Sequence, residues 1–439
     1  MLTRTPKMTI PRDRALDASL AAILQGYEFI GKRCERLGSD AFTTRAMLQM
    51  VTCAMGEDAA RMFYAPGRFT RVGAMPVMTL KLLQDYDSVQ TLDGAELRHR
   101  KDMFQSLATP AQIARLEEIA RKEWRARIAD WQACDRIVLF DEMCELLTRI
   151  ACAWAGVPLS EAGTKARTRE FAAMIEGSGT LGPRAWWGLL LRTRTERWAR
   201  DVVARIRTGE IETRSDAPAR IIALHREPSG DLLSLKAAAV ELINVLRACV
   251  AVARYVVYGA LMLHEKPVLA ERVRDGDRAY AEAFAQEVRR LCPFFPFIGG
   301  RVREPFDWRG KHFARGEWVV LDLYGTNLDP RSHRAADTFD PDRFLRREVC
   351  PYAFVPQGGG DVRTGHRCPG ENATVALTRI GVEMLAREMR YDVPPQDLRI
   401  KLSRIPALPK SGFVIRNVRR VLPMRAVDKT SRDIVSASN

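Results

Sequence analysis

Apolar side chains recur with helical spacing through most of the 439-residue chain. The stretch 110–131, PAQIARLEEIARKEWRARIADW, is typical, because apolar residues return every three or four positions between charged ones. The chain has no fixed-period repeat, which argues against a solenoid. Strand-like patches are few: one near Phe69, one at 306–313 with an Arg-Gly turn, and one at 318–324. The pattern predicts a mainly α fold, a large helical body with a small β-sheet region.

The composition fits one large folded body. Hydrophobic residues make up 46% of the chain and charged residues 28%, which leaves ample apolar side chain for a core. Because the end of the chain is polar and lacks apolar periodicity, we expect a single domain over residues 1–423 and a polar C-terminal tail over 424–439. The nine cysteines are an odd number, and no signal-peptide pattern opens the chain. These features predict a reducing, cytoplasmic location.

The longest apolar run covers residues 237–263 and is long enough to cross a bilayer. Glu241, Arg247 and Arg254 interrupt it, and such charges are expensive in a membrane, so we predict a buried core helix and no transmembrane segment. The residues three and four positions from Arg247 are mostly apolar, so its guanidinium projects from an apolar face. Two explanations stay open: Arg247 snorkels or pairs with a core acid such as Glu241, or it binds a functional anion.

The net charge of +15 raises the question of a nucleic-acid partner. The arginines are scattered and no RNA- or DNA-binding motif frames them, so we expect a basic surface and no nucleic acid. One basic helical stretch, residues 183–207, carries Trp186, Trp187 and Trp198. It could touch a membrane surface or acidic lipids, but we expect its tryptophans to pack inward.

Chemistry-bearing residues concentrate in the last third of the chain. Glu287 and Arg290 lie three residues apart on one helical face, where they can pair, and Arg343 follows in the turn TFDPDRF. The glycine run QGGGD then leads into TGHRCPGE, which holds His366 and Cys368. A cysteine in a turn before a helix has N–H groups and a helix dipole that stabilise a thiolate. A zinc site is disfavoured because His366 and Cys368 lack a second ligand pair at suitable spacing.

These three motifs, in this order, resemble the cytochrome P450 superfamily. The stretches ELINVLR, EVRR, VVLDLYGTN, FVPQGGGD, GHRCPGE and MRYDVPPQDL are similar to its bacterial fatty-acid peroxygenase branch, above all to the long-chain fatty acid alpha-hydroxylases. The resemblance covers nearly the whole chain. It implies the cytochrome P450 fold.

The resemblance also implies a cofactor, haem b, with its iron bound by the Cys368 thiolate. A thiolate ligand donates electron density that favours oxygen–oxygen cleavage. The residues that the resemblance places at the haem carboxylates are Arg71, Lys101, His366 and Arg367. It gives structural roles to Glu287, Arg290 and Arg343.

Ordinary members of the superfamily carry an acid–threonine pair in the central helix, whereas this chain has Arg247 and Ala248 there. In the peroxygenase branch the corresponding arginine binds the fatty-acid carboxylate, which then acts as general acid-base on hydrogen peroxide. The resemblance therefore implies Arg247 as the catalytic and substrate-binding residue, a fatty acid and hydrogen peroxide as substrates, and hydroxylation at the alpha or beta carbon. No obligatory redox partner is expected.

The substrate pocket is also implied by the resemblance. Gln90 stands where the hydroxylases of the branch have glutamine and its decarboxylating members have histidine, which favours hydroxylation. Phe294 and Phe295 are expected to flank the acyl channel. Residues expected to extend the channel are Leu82, Leu83 and Phe413.

Two positions depart from the branch. Ala248 replaces a proline that usually follows the arginine, and Leu97 replaces a histidine. Both changes bear on regiochemistry and peroxide use more than on the fold. The alternatives are a monooxygenase of a specialised biosynthetic pathway that acts on another carboxylic acid with redox partners, a fatty acid decarboxylase, and a haem-binding or basic interaction protein without turnover.

Overall fold

The computed structural model describes residues 10–180, 182–346 and 348–421, so the tail predicted at 424–439 lies outside the described residues. Helices dominate, as the apolar spacing predicts. The α-helices, in chain order, are α1 Ser19–Gln25, α2 Phe29–Leu37, α3 Glu57–Phe63, α4 Val77–Leu83, α5 Gly94–Ser106, α6 Pro110–Trp131, α7 Leu139–Ala155, α8 Glu161–Gly177, α9 Pro183–Arg207, α10 Pro218–Ala223, α11 Leu235–Ala251, α12 Ala253–Glu265, α13 Pro267–Asp275, α14 Arg278–Leu291, α15 Leu323–Asn327, α16 Arg343–Arg346 and α17 Glu371–Glu383.

The strands form three small sheets, which confirms a minor β component. Their bounds are β1 Ala41–Ala46, β2 Gln49–Met55, β3 Phe69–Thr70, β4 Ile137–Val138, β5 Phe297–Val302, β6 Phe306–Trp308, β7 Lys311–Phe313, β8 Trp318–Asp322, β9 Met389–Asp392 and β10 Val414–Arg420. The largest sheet has the order β1-β2-β8-β5-β3, and β4-β10-β9 and β6-β7 form the other two. Within the largest sheet, β2 and β8 run parallel.

The three predicted strand patches are present, but β1, β2, β4, β5, β9 and β10 were not predicted, among them the β1–β2 hairpin. Strand β8 is buried along its whole length, as its β-branched run predicts. The hairpin turns at Met47 and Leu48, whose φ angles are +49° and +61°. These residues carry no glycine, asparagine or proline signal, so the sequence gives no indication of a turn there.

The apolar run 237–263 forms two consecutive buried helices rather than one. Helix α11 ends at Ala251 and α12 begins at Ala253, with Val252 between them at φ −62° and ψ −18°. No glycine or proline marks this break. Helix α11 packs on α7 and α9, while α6, α12 and α14 surround α17. Among the helices of the described ranges, none combines the length and the apolar character needed to cross a membrane.

The expectation that the tryptophans of α9 pack inward is wrong for two of the three. Trp198 is partly buried and packs edge-on against Phe171. Trp186 and Trp187, in the first turn of α9, are 63% and 48% exposed. They lie on the face of the helix opposite Ala185 and Gly188, which are buried against its neighbours.

Candidate active site

The cysteine loop runs directly into the N-terminus of α17. Cys368 lies two residues before Gly370, the N-cap of that helix, and its N–H donates to the Gln357 carbonyl at 3.0 Å. The preceding glycines let the loop close tightly: Gly358 has φ +95°, and a Cβ on Gly359 would lie 2.9 Å from the Pro351 carbonyl oxygen. Burial raises the pKa of the Cys368 thiol, while the N–H of Gly370 and the charge of Lys101 oppose that shift.

Arg289 ties this loop to helix α14, and the sequence reasoning missed it. Its guanidinium donates to Gln357 Oε1 at 2.8 Å and pairs with Glu371 at the start of α17. Arg367 donates to the other oxygen of the same carboxylate at 2.7 Å. Two arginines therefore share Glu371 beside Cys368. The available signal was the adjacent arginine in EVRR, one position before Arg290.

The E-x-x-R pair, Glu287 and Arg290, lies on the same helix as Arg289 and is fully buried. Arg290 donates to both oxygens of Glu287 at 2.8 and 2.7 Å, and Arg343 lies 3.3 Å from the same carboxylate. Arg290 also donates to the carbonyls of Asn327 and Ala336 at 3.0 and 2.7 Å. The triad thus fixes α14 to the segment that leads to the cysteine loop.

Three of the four residues expected at haem carboxylates converge on one interior region. Arg71 is buried and donates to the Gly299 carbonyl at 2.7 Å, while Lys101 is buried and donates to the Arg367 carbonyl. Burial lowers the pKa of Lys101 to about 8, and burial together with the nearby charges of Arg71 and Lys101 lowers the pKa of His366 to about 4. Within the described ranges neither Arg71 nor Lys101 has an acidic side chain within ion-pair distance. The side chain of Arg367 turns instead to Glu371.

These residues fit a haem. Two buried cations without acidic partners suit a group that carries two carboxylates, because an unpaired buried charge is costly. Cys368 supplies a thiol at the start of a helix, where a metal-bound thiolate would be stabilised. The Cys368 loop and the cation group are joined directly through Lys101 and the Arg367 carbonyl.

Arg247 lies on α11 and is buried, and no acid among the described residues pairs with it. Its Nη2 donates to the Leu83 carbonyl at the end of α4 and to Asn244 Oδ1 at 3.3 Å, and its Nε has no partner. Burial, and secondarily the charge of Arg192, lowers the pKa of Arg247 to about 9. Among the ion pairs of the described residues none includes Arg247, so the explanation that it pairs with Glu241 fails. Glu241 pairs with Arg100 at 2.9 Å.

Asn244 links the two polar residues predicted for the substrate pocket. Its Oδ1 accepts from Arg247, and its Nδ2 donates to Glu241 at 3.1 Å and, at 3.5 Å, to Gln90. The sequence placed Asn244 only on the face of Arg247, three residues away on the helix. Gln90 therefore reaches Arg247 through Asn244 rather than directly.

Helix α11 passes close to the cysteine loop. Burial raises the pKa of Cys249 to about 12, and the charge of Cys368 adds to the shift. Cys249, two residues after the predicted catalytic arginine, is therefore close enough to the predicted iron ligand to interact with it electrostatically. Ala248 is exposed although the residues on both sides of it are buried in the middle of the protein body.

The apolar residues predicted for the channel lie in three separate places. Leu82 and Leu83 are buried at the end of α4, beside Arg247. Phe294 contacts Phe295 edge-on, with ring centroids 4.5 Å apart, and Tyr255 of α12 at 5.3 Å. Phe413 instead packs on His264 near the far end of α12, so the structure does not bring it to Arg247. Leu97 is buried in α5.

Comparison with known proteins agrees with this geometry. The family model for cytochrome P450 matches residues 276–403. The solved structure of a mutant of cytochrome P450SP alpha (CYP152B1) is 43% identical, covers 93% of this chain and 100% of that one, and has a TM-score of 0.90. Cytochrome P450EX alpha (CYP152N1) with myristic acid is 38% identical over 94% and 100% of the two chains, with a TM-score of 0.90.

More distant relatives match in part or in full. A variant of cytochrome P450 OleT in complex with arachidonic acid is 31% identical over 95% of this chain and 100% of that one, with a TM-score of 0.92. Among curated proteins, the probable cytochrome P450 4s3 of Drosophila melanogaster is 29% identical over 147 residues, which is 33% of this chain and 28% of that protein. The match to cytochrome P450 4A22 of Homo sapiens likewise covers only 28% of that relative.

Proposed function

Since the chain belongs to the cytochrome P450 family and is an oxidoreductase of its fatty-acid peroxygenase branch, we propose that it uses hydrogen peroxide to hydroxylate fatty acids at the alpha or beta carbon. The family implies a haem iron with a cysteine thiolate ligand, and the proposed ligand is Cys368. When bound, haem b supplies the redox chemistry by which an oxygen atom of peroxide reaches carbon. Arg71, Lys101 and His366 are proposed to hold its carboxylates.

The observation that carries the proposal is the buried Arg247 without an acidic partner. Its Nη2 already bonds to Leu83 and Asn244, while its Nε is buried and unpaired. Arginine does not give up its proton under ordinary conditions, so the charge needs an anion from outside the chain. A carboxylate is the natural fit to the guanidinium fork. The proposed anion is the head group of the fatty acid.

The bound carboxylate also supplies a missing function. The chain has Arg247 and Ala248 where an acid and a threonine would otherwise relay protons. A carboxylate held by Arg247 can accept a proton from peroxide and return it, as a general acid-base. Because the carboxylate is fixed, the carbons nearest to it are presented for reaction, which places hydroxylation at the alpha or beta position.

Gln90 argues against a second candidate function, fatty acid decarboxylation. A decarboxylase would share the Arg247 clamp and the peroxide chemistry but differ in the polar groups beside the carboxylate. Gln90 is a neutral amide that reaches the clamp through Asn244, so it offers no ionisable group there. This favours hydroxylation over decarboxylation.

The test is a product analysis on the purified holoprotein with hydrogen peroxide and a panel of carboxylic acids, with no reductase present. We expect 2- and 3-hydroxy acids, and no product from the methyl esters of the same acids, which cannot form the ion pair. Turnover only with a reductase and NADPH, or hydroxylation mainly at mid-chain or omega carbons, would favour the monooxygenase alternative.

A further inference from the structure

The first two turns of α9 expose large apolar side chains. Trp186, Trp187 and Leu190 project from the face opposite the one that packs in the core, and Leu190 is 50% exposed. A helix on the surface of a globular protein ordinarily places such side chains inward. A cluster of exposed tryptophans therefore indicates a contact surface.

Helix α1 shows the same inversion. Its sequence, SLAAILQ, is largely apolar, yet none of its residues is buried. Leu20, Ile23 and Leu24 share one face by their spacing and are 67%, 51% and 65% exposed. Nothing in the described part of the chain covers this face.

A path of contacts joins the two helices. At the end of α1, Gly26 abuts the backbone of Leu402, and the Tyr27 N–H donates to the Leu402 carbonyl at 3.1 Å. Three residues further along the chain, Ile405 lies against Gly179, where a Cβ would be 2.5 Å from Ile405 Cγ2. Gly179 leads directly into α9.

A second path joins α1 and α9 on the other side. The Met47 N–H, at the tip of the β1–β2 hairpin, donates to Ser19 Oγ of α1 at 2.7 Å. Arg301 bridges Gln49 of the same tip, at 2.6 Å, to the Gly73 carbonyl at 3.0 Å. Helix α4 follows Gly73 and packs on α9.

This second path is also lined with exposed apolar side chains. We call the whole surface the apolar rim: α1, the hairpin tip, the start of α4 and the first turns of α9. Its further exposed members are Met47, Leu48, Met50, Val72 and Val77.

The exposed charges around the apolar rim are mostly positive. Arg45 at the hairpin and Arg184 at the start of α9 are exposed, and Arg194 and Arg197 continue the outer face of α9. The acid Asp17 is occupied within the fold, since its carboxylate accepts from the N–H groups of Ser19 and Leu48 at 2.8 and 3.0 Å.

We propose that the apolar rim docks on the surface of an anionic lipid bilayer. Tryptophan and leucine side chains flanked by arginines are suited to the boundary between acyl chains and anionic headgroups. A second copy of the chain is a poorer occupant, because a two-fold contact would set the same arginine-rich surface against itself.

Docking would also place the substrate route at the membrane, a step that rests on the proposed function. The first turns of α9 pack on α4, where a Cβ on Gly188 would lie 2.9 Å from Leu82. The carbonyl of the next residue, Leu83, accepts a hydrogen bond from Arg247. The apolar rim therefore adjoins the helix that ends at the carboxylate clamp, so a membrane-borne fatty acid would have a short path to it.

The experiment is flotation of the holoprotein with phosphatidylcholine vesicles that contain about 30% phosphatidylglycerol, in the absence of fatty acid and peroxide. We expect binding that weakens with salt and falls about tenfold or more in the double variant Trp186→Ser, Trp187→Ser. Leu345→Ser, an equally exposed leucine on α16 away from the apolar rim, should bind like the wild type. Arg184→Glu should weaken binding to these vesicles more than to pure phosphatidylcholine.

Docking fails as a proposal if the wild type does not float at low salt, or if the tryptophan variant floats equally well. It also fails if light scattering shows that the tryptophan variant dissociates a dimer, because the second copy would then be the occupant. Arg247→Leu separates the two proposals: it should float like the wild type even though it is expected to lose turnover.

Discussion

The cysteine loop and the Arg247 pocket bury arginines in opposite ways. Around the loop three buried arginines meet carboxylates: Arg289 meets Glu371, and Arg290 and Arg343 meet Glu287. In the pocket, the partners that Arg247 finds among the described residues are a carbonyl and an amide oxygen, and its Nε finds none there. Both regions are buried to a similar degree.

The difference distinguishes arginines that stabilise the fold from an arginine that is available to bind a ligand. A buried ion pair whose partners are both in the chain holds two backbone segments together. Removing one partner leaves the other as an uncompensated buried charge, which destabilises the fold. A buried arginine without a partner costs stability and has reason to persist only if an anion arrives from outside. Four predictions test this contrast.

The paired region should fail through folding. In Glu287→Gln the neutral amide leaves Arg290 and Arg343 without a buried counter-charge, so we expect a loss of about 3 to 5 kcal/mol in the free energy of unfolding. Chemical denaturation of the holoprotein measures it. Glu282→Gln, an exposed glutamate on the same helix, is the control. A loss below about 1 kcal/mol for Glu287→Gln would contradict the structural role of the triad.

The unpaired region should fail through binding instead. Arg247→Leu removes an unpaired charge, so its unfolding free energy should stay equal or rise, while fatty-acid affinity and peroxide-driven turnover fall. The lost ion pair is worth about 2 to 5 kcal/mol, or roughly 30-fold to several thousand-fold. Spectral titration and turnover at matched haem content measure these effects.

Arg207→Leu is the matched control for Arg247→Leu. Arg207 donates to two backbone carbonyls, those of Ala223 and Leu233, whereas Arg247 donates to one and to the Asn244 amide oxygen. Arg207 lies at the far end of α9 from the apolar rim. It should lose some stability but bind fatty acids normally. Wild-type turnover in Arg247→Leu would refute the carboxylate clamp.

How far the sequence predicted these regions depends on how local the signals are. Residue spacing and turn residues indicate the Cys368 loop, the Glu287–Arg290 helix and the long helices. These elements could therefore be predicted from the sequence. The β1–β2 hairpin could not, because Met47 and Leu48 adopt positive φ without a turn residue. The break at Val252 likewise leaves no mark in the apolar run.

The pocket shows the same limit at the level of side chains. The sequence indicates that Arg247 projects from an apolar face, but whether it pairs with Glu241 depends on Arg100, which lies 141 residues earlier in the chain and claims that carboxylate. The role of Asn244 as a bridge between Arg247 and Gln90 depends on a long-range contact in the same way. Such choices among partners follow from tertiary packing, which no local spacing encodes.

A buried carboxylate offers the complementary case. Asp322 has no cation beside it in the described structure, its Oδ2 is unpaired, and burial raises its pKa to about 7. Unlike arginine, it can keep its proton. Because the unfolded state releases that proton near pH 4 and the folded state only near pH 7, the stabilising contribution is complete below about pH 4 and is lost as the pH rises through about 7.

Asp322→Asn should remove this pH dependence. The amide oxygen can still accept from the Gly325 N–H, which Asp322 Oδ1 now does at 2.7 Å. The variant should therefore exceed the wild type in unfolding free energy by on the order of 2 kcal/mol at pH 8 and by roughly a third of that at pH 5. Denaturation of both proteins at the two pH values measures the difference. An equal gap at both pH values would show that Asp322 does not titrate in this range.

The smallest effect is expected at Gln90, because it contacts Arg247 only indirectly, through Asn244. Its Oε1 accepts from Asn244 Nδ2 at 3.5 Å, a long hydrogen bond, and Asn244 in turn accepts from Arg247. Gln90→His introduces an ionisable ring near the carboxylate without displacing Arg247, so we expect terminal alkene to increase relative to hydroxy acid by less than about tenfold, which is about 1.4 kcal/mol in the partition between products. Gas chromatography of peroxide reactions measures this ratio. Thr91→Val, in the same turn but bonded to the Ser88 carbonyl at 3.0 Å, should leave the ratio unchanged. A variant that yields mainly alkene would place Gln90 in direct contact with the substrate carboxylate, and the contrast between a direct clamp and an indirect neighbour would no longer hold.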